Sequence, residues 1–560
     1  VKLFSSSRVP VRLLLIAFGW LCINLIQAAY TELFHDEAYY WMFSRHLNWA
    51  YFEHPGMIAW MIALTSWLPG ELGVRLTAVV ANLIALGVVV WLTDERHRAF
   101  TLWVMAGMVI THLGGIFAAP DAPLALFAAL FYLSLAHFLK KDGLLPALLL
   151  GLTMAGMLYS KYHGALLIGF AVIGYPALLR NRNFWLAGLT ALLLCTPLVL
   201  HLWEQQMATF AFHLGSRIRK PWDIGFLGSY LSGQILLYGP FVGVMLFAGA
   251  FLGKTPDPFG RILKATVIGM TGFLLLLSFR TWVEANWSAG MYVPLVLLGV
   301  KWIAGSEARK KWAMGLSVAG VIFAFSARLM VLFPDFFPEI KGLRNEVHGW
   351  KAWAERVSEL AGDRPVAIVN SYGLPAKYTF YTGKSAFALN NVQYHRTQYE
   401  GWDMEQTLWG KEILYVAPNE FEGGTPLGLP EGRKFHYTYL RNFHSYNNVY
   451  IQSPQKQFKL AAGDTLRTTL LLKNGYDHPV DFEAWLPVTI TAIVYKGNKL
   501  TMVYPHVGQV PGLLHNERET AVVVPVSLPP GNYRVIFTLT LGNFNPGING
   551  AFIPLEITAQ

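Results

Sequence analysis

Charged side chains are scarce in this sequence, at 14% of 560 residues, against about a quarter in an ordinary soluble chain. A water-soluble protein of this length is thereby disfavoured. Cysteine is nearly absent: only Cys22 and Cys195 occur. Both sit in apolar runs, which excludes a disulfide framework or a cysteine metal site. Internal repeats and low-complexity tracts are also missing, so neither a solenoid nor a disordered linker is indicated. What the chain has instead is 54% hydrophobic residues, 14% aromatic residues including 19 Trp, and a mean hydropathy of +0.37. Aromatic side chains at that density suit membrane interfaces. The net charge is +10. No basic stripe with interleaved aromatics accompanies it, so nucleic acid is not an expected partner and the charge is assigned to loops at a membrane.

About eleven runs are long enough, at roughly 20 apolar residues, to span a bilayer. They begin with Val11–Ala29, include Leu72–Leu92, Phe100–Ala118 and Ile224–Leu252, and end with Trp312–Phe333. The first follows Lys2, Arg8 and Arg12 without a convincing cleavage site, and reads as an uncleaved span. Pro55–Leu68 is too short to cross and reads as a re-entrant or interfacial helix. Alternate loops carry Arg96 and Arg98, Lys140 and Lys141, Arg180 and Arg182, Lys254 with Arg261 and Lys264, and Arg309 to Lys311. The positive-inside rule makes that side cytoplasmic and puts the chain after about Pro334 outside. Three domains are expected: a transmembrane domain over 1–335, an extracytoplasmic α/β domain over 336–448 and a β-sandwich over 449–560. The α/β reading rests on helical spacing over Val347–Leu360 and short apolar strands at Val366–Val369 and Ile413–Val416. The sandwich rests on alternating strands separated by Asn474-Gly475, Lys496-Gly497-Asn498, Pro529-Pro530-Gly531 and Asn545-Pro546-Gly547.

This topology gathers polar residues at one membrane face. The first outer loop holds Asp36, Glu37, Tyr39, Glu53 and His54. Later loops supply Asp121, then Lys161 and Tyr162, then Arg217, Arg219 and Lys220, then Glu284, Asn286 and Trp287. Charges at a membrane boundary are costly unless paired or wetted. Five loops supplying them to one face indicate a shared polar cavity, where a single loop would pass for an ordinary interfacial one. Transfer of a sugar from a phosphate carrier needs a carboxylate for the nucleophile and cations for the leaving phosphate. Asp36 and Asp121, with Glu37 beside Asp36, answer the first need; Lys161 and the Arg217–Arg219–Lys220 cluster answer the second. The basic cluster suits lipid headgroups nearly as well. His54, His163 and His213 match no metal signature. A divalent cation at Asp36 and Glu37 is conceivable but ranks below direct base catalysis.

The same residues resemble the bacterial branch of the protein O-mannosyltransferase and aminoarabinose-transferase superfamily, with its GT-C glycosyltransferase fold. The resemblance is carried by Asp36-Glu37, Phe52-Glu53-His54-Pro55, Ala119-Pro120-Asp121-Ala122-Pro123-Leu124, Ser160-Lys161-Tyr162 and Glu284-Ala285-Asn286-Trp287, in order along the membrane part. It implies an α-helical polytopic protein of the bacterial inner membrane that takes a sugar from a polyprenyl-phosphate donor, with inversion, for a lipid, glycan or protein acceptor. It makes Asp36 the acceptor-side carboxylate, Asp121 a second active-site acid and Lys161 a donor-phosphate ligand. Aminoarabinose transferases carry Lys where this chain has His54, so aminoarabinose and lipid A are not implied. Two rival classes are a flippase or transporter of lipid-linked saccharides and an assembly protein whose outer β domain binds a partner. Transporters commonly show repeats and polar sites near the bilayer midplane, and neither is seen here.

Overall fold

The computed structural model describes residues 11–204, 223–333, 346–429, 433–497 and 499–559. The chain divides into two compact units, Val1–Gly349 and Trp350–Gln560.

The first unit is helical. Among the described residues, seven helices are long and apolar enough to cross a membrane, and four shorter apolar helices of 10–17 residues accompany them. The long helices near the N-terminus are α1 (Val11–Tyr30) and α4 (Gly70–Leu92). Between them lie α2 (His35–Arg45) and the nine-residue α3 (Met57–Thr65). The expected third span, Phe100–Ala118, is broken into α5 (Arg98–Ala106) and α6 (Val109–Leu113). The reason is a close approach: a Cβ on Gly107 would lie 2.8 Å from the Ser317 carbonyl oxygen on the helix Glu307–Leu332. Carbonyls freed by the break need partners inside an apolar bundle. The Thr111 hydroxyl donates to Met105 O (2.6 Å) and Met108 O (2.8 Å), and His112 Nε2 pairs with Ala106 O (2.8 Å). The expected span Ile224–Leu252 likewise splits into Ile224–Leu237 and Gly243–Leu252. Gly239 there has φ +100°, a left-handed turn that favours glycine, and Pro240 cannot continue a helix. Between these two broken spans lie α7 (Asp121–Phe138), α8 (Leu144–Ser160), α9 (Gly164–Gly174) and α10 (Arg182–Glu204).

The second unit is strand-rich. Strands β1 (Val366–Val369), β2 (Ala386–Leu389), β3 (Lys411–Ala417), β4 (Thr425–Pro426) and β5 (His436–Phe443) form one sheet in the order β2-β1-β3-β5-β4. β1 is parallel to β2 and β3, and β5 is antiparallel to β3. All four residues of β1 are buried, which explains its continuous apolar run. The helices Trp350–Ala361 and Gly373–Thr382 belong to the same layer and share its core. Beyond it a five-stranded and a three-stranded sheet enclose a second core containing Ile451, Leu470, Ile490, Val524 and Phe537. The turn signal at Gly497 lies between the antiparallel strands Val488–Lys496 and Lys499–Gln509. Asn545-Pro546-Gly547 lies between Gly531–Leu541 and Ile553–Thr558.

Candidate active site

Three helix ends in the first unit bring the predicted residues together. α7 opens on Asp121, so its carboxylate lies where the helix dipole favours negative charge. Lys161 follows the last residue of α8 in extended conformation, and its Nζ donates to Asp121 Oδ1 at 2.8 Å. Asn286 Nδ2 donates to the other oxygen, Oδ2, at 2.7 Å. Asn286 is held on a short 3-10 helix, Ala285–Met291. That helix is fixed from below. Ser288 Oγ donates to Gln234 Oε1 (2.7 Å), Tyr238 Oη donates to Ser288 O (2.6 Å), and Gln234 Nε2 donates to Ala285 O (3.2 Å). The Lys161 side chain is 7% exposed and that of Asp121 18%. Asp121 is the hydrogen-bond partner of the Lys161 ammonium among the described residues, so two of its three N–H donors remain for a ligand.

The second carboxylate pair divides its roles. Asp36 is exposed near the start of α2. Glu37, next to it, is 1% exposed. Its Oε1 accepts from Arg75 Nε (2.7 Å) and Ala118 N (2.9 Å); its Oε2 accepts from Arg75 Nη2 (2.5 Å) and Phe34 N (3.1 Å). Arg75 also donates to the carbonyls of Ala28, Thr31 and Glu32. Arg75 is the residue that sequence reasoning missed. Its signal was a lone cation inside the apolar run Leu72–Leu92, which demands a partner. Both Glu37 oxygens are thus engaged with donors. Glu37 ties the start of α2 to α4 and to the loop before α7, a positioning role in place of the catalytic one expected of it. A divalent cation held jointly by Asp36 and Glu37 would have to displace these donors. Among the described residues no group of three or more His, Cys, Asp and Glu is arranged to hold a metal.

A cavity of about 250 Å³ joins these parts. Asp36, Asp121 and Asn286 line it, and Phe34, Leu86, Phe117, Leu237 and Tyr292 supply apolar wall. The remaining predicted residues are placed as follows. Tyr39 Oη donates to Glu53 (3.2 Å to Oε2), and Tyr40 Oη pairs with His54 Nε2 at 3.2 Å, which pins the loop after α2 to α2 itself. Trp287 packs on His163, ring centroids 5.2 Å apart. Tyr162 is half-buried next to Lys161, and Glu284 is exposed before the 3-10 helix. Arg217, Arg219, Lys220 and His213 lie outside the described residues.

Residues 53–201 match the family model of the dolichyl-phosphate-mannose-protein mannosyltransferases. That stretch contains Glu53, His54, Arg75, Asp121, Lys161 and Tyr162. A curated relative is the lipid A galacturonosyltransferase RgtD of Rhizobium johnstonii (strain DSM 114642 / LMG 32736 / 3841). It is 24% identical over 351 residues, covering 58% of this chain and 71% of the relative. Among solved structures, ArnT from Cupriavidus metallidurans bound to undecaprenyl phosphate shares the fold. The TM-score is 0.57 at 15% identity, covering 77% of this chain and 98% of that one. The family model over residues 53–201, the 24%-identical relative and the shared fold agree: this chain is similar to the GT-C membrane glycosyltransferases, and its helical unit has their fold.

Proposed function

We propose that the chain transfers a sugar from a polyprenyl-phosphate carrier to an acceptor hydroxyl on the extracytoplasmic side of a bacterial inner membrane, with inversion at the sugar. The acceptor class is a lipid, a glycan or a protein. The observation that carries this reading is the Asp121–Lys161–Asn286 cluster beside an apolar cavity that Asp36 also lines. An apolar wall accommodates a lipid chain, and the ammonium meets a phosphate.

The roles follow from position. Asp36 accepts the proton of the acceptor hydroxyl as its oxygen attacks the anomeric carbon. The bond between that carbon and the carrier's phosphate oxygen breaks, and the phosphate leaves with an added negative charge. Lys161 stabilises that charge more in the transition state than in the ground state, so its contribution appears in turnover. Asp121 and Asn286 orient Lys161 and keep its charge from lying unpaired while no phosphate is bound. Tyr39, Glu53, His54, Tyr162, Glu284 and Trp287 are proposed to shape the sugar and acceptor sides. The segment after Pro334, with its α/β and sandwich domains, is proposed to be extracytoplasmic, because the basic loops alternate as the positive-inside rule requires.

The test is reconstitution into vesicles with a polyprenyl-phosphate-linked sugar. Breakage of the phosphate–sugar bond, with release of the free polyprenyl phosphate, is the expected result. Movement of the intact lipid-linked sugar between leaflets, with no bond broken in any condition, would support a flippase instead. Single cysteines at Asp142 and Arg309 are expected to be shielded from impermeant reagents in intact cells, with Gly383 and Gly497 labelled. Labelling of Gly383 only after permeabilisation would reverse the proposed sidedness.

A further inference from the structure

The second unit contains a cavity that the transfer reaction does not use. It lies between the edge of the β2-β1-β3 sheet and the sandwich, and its accessible volume is about 50 Å³. Two of its walls are tied together by loop contacts. Val392 N donates to Pro546 O at 3.0 Å, and Arg396 Nη2 donates to Ile548 O at 2.7 Å.

Some polar groups in it, such as Asn391 and Asn549, are paired, and others are not. Asn390 is 2% exposed and Asn447 7%. Among the described residues, Asn390 Oδ1 and Asn447 Nδ2 are buried without a hydrogen-bond partner, and both residues line the cavity. The orientation of Asn390 is set by its neighbours. Its Nδ2 donates to Glu400 Oε1 (2.7 Å) and Thr397 Oγ1 (3.2 Å), which leaves the carbonyl oxygen as the free end. Glu400 in turn accepts from Thr397 N at 2.7 Å, so the amide stands on a fixed support. Asn447 is anchored through its backbone, whose N–H donates to Glu405 Oε1 at 3.0 Å. Burial pushes the carboxyl groups of Glu400 and Glu405 above the usual range.

Aromatic rings complete the lining. Trp485 and Phe544 are half-buried, their centroids 5.6 Å apart at 36°, and Tyr415 packs on Phe544 at 5.7 Å. No Asp, Glu, Lys or Arg lines the cavity among the described residues.

We propose that this cavity binds one ring of a neutral saccharide. Asn390 Oδ1 as acceptor and Asn447 Nδ2 as donor, with the buried Ser445 hydroxyl beside them also unpartnered among the described residues, suit a hydroxyl group, which both gives and accepts a hydrogen bond. Buried polar groups without partners are rare in native proteins, and a few of them converging in an apolar pocket mark a ligand site. Water alone satisfies the amides but leaves the aromatic rings wet; the C–H face of a sugar ring covers them. With no Lys or Arg in the lining among the described residues and His444 as its titratable imidazole, the cavity is built for a neutral ring in preference to a phosphate or uronate. The volume admits the hydroxyl-bearing edge of a ring and not a whole disaccharide. The site is independent of the proposed transfer chemistry.

The experiment uses the purified full chain in detergent and saturation-transfer NMR, with the methyl glycosides of glucose, galactose and mannose and with galacturonate as probes. At least one neutral glycoside is expected to receive saturation. Trp485→Ala is expected to weaken that binding about tenfold, as loss of an aromatic anchor does. Asn447→Ala removes only an unpartnered amide, so it is expected to weaken binding at an unchanged melting temperature. Asp36→Asn, in the first unit, is expected to leave the signal in place. Absence of saturation in every neutral glycoside overturns the proposal. So does a signal unchanged in both Trp485→Ala and Asn447→Ala, or a stronger signal from galacturonate, or one abolished by Asp36→Asn alone.

Discussion

Two buried carboxylate–cation pairs stand in the first turns of helices beside the same cavity, and their surroundings differ. At the start of α2, Glu37 and Arg75 have side chains 2% and 1% exposed. Both carboxylate oxygens are engaged, and the guanidinium also reaches three backbone carbonyls. At the start of α7, Asp121 and Lys161 are 18% and 7% exposed, and the ammonium has one partner among the described residues. A saturated pair can only hold the fold. A pair whose carboxylate lines the cavity and whose ammonium has a single partner among the described residues can exchange that partner for a ligand. The difference sorts the proposed scaffold from the proposed chemistry within one site, although both pairs look alike in sequence: an acid near a helix start and a distant base.

That contrast can be broken by substitution. The largest effect is expected at Arg75. Arg75→Met leaves Glu37 buried and uncompensated, which costs about 3–5 kcal/mol, so thermal unfolding in detergent should shift sharply downward. Adding Glu37→Leu should recover most of the loss, because a well-packed apolar pair of similar volume is tolerated. A melting curve that Arg75→Met leaves unmoved would remove the scaffold role. Next is Lys161→Ala, expected to lower turnover by about 100–1000-fold, the range for removing one donor from a developing charge, with a much smaller change in melting temperature. Asp36→Asn should lower turnover by at least ~100-fold in a folded protein. Near-normal transfer would move the base to another carboxylate. The smallest effect is expected for Asn286→Ala, about tenfold for one hydrogen bond, read as a fall in turnover at constant expression and melting temperature.

The parts of this site visible in the sequence were those at the ends of apolar runs. Asp121, Lys161 and Asn286 each interrupt hydrophobic sequence at a span boundary, and the alternation of loops put them on one face. Arg75 escaped because it lies inside a run whose average stays apolar, and its partner is 38 residues away. The break in the third span escaped for a similar reason. Phe100–Ala118 is apolar on average, with Thr101, Thr111 and His112 within it, and the approach of the Ser317 backbone to Gly107 shows why the helix stops. At Gly239-Pro240 the local signal was present, since proline ends a helix on steric grounds alone. In the second unit, Val366–Val369 was readable because a buried parallel strand is a continuous apolar run. Its saccharide cavity was not, because Asn390, Asn447, Trp485 and Phe544 come from four separate segments whose meeting is purely tertiary.

The proposal is that Lys161 faces the leaving phosphate while Arg75 holds the scaffold. It is tested most directly by native mass spectrometry of the purified chain with undecaprenyl phosphate and with undecaprenol, which lacks the phosphate. The expected result is one retained undecaprenyl phosphate on the unsubstituted chain, little retained undecaprenol, and loss of the phosphate-bearing lipid in Lys161→Ala but not in the Arg75→Met/Glu37→Leu double variant. Equal retention of undecaprenol, or undiminished retention of undecaprenyl phosphate by a folded Lys161→Ala protein, would contradict it.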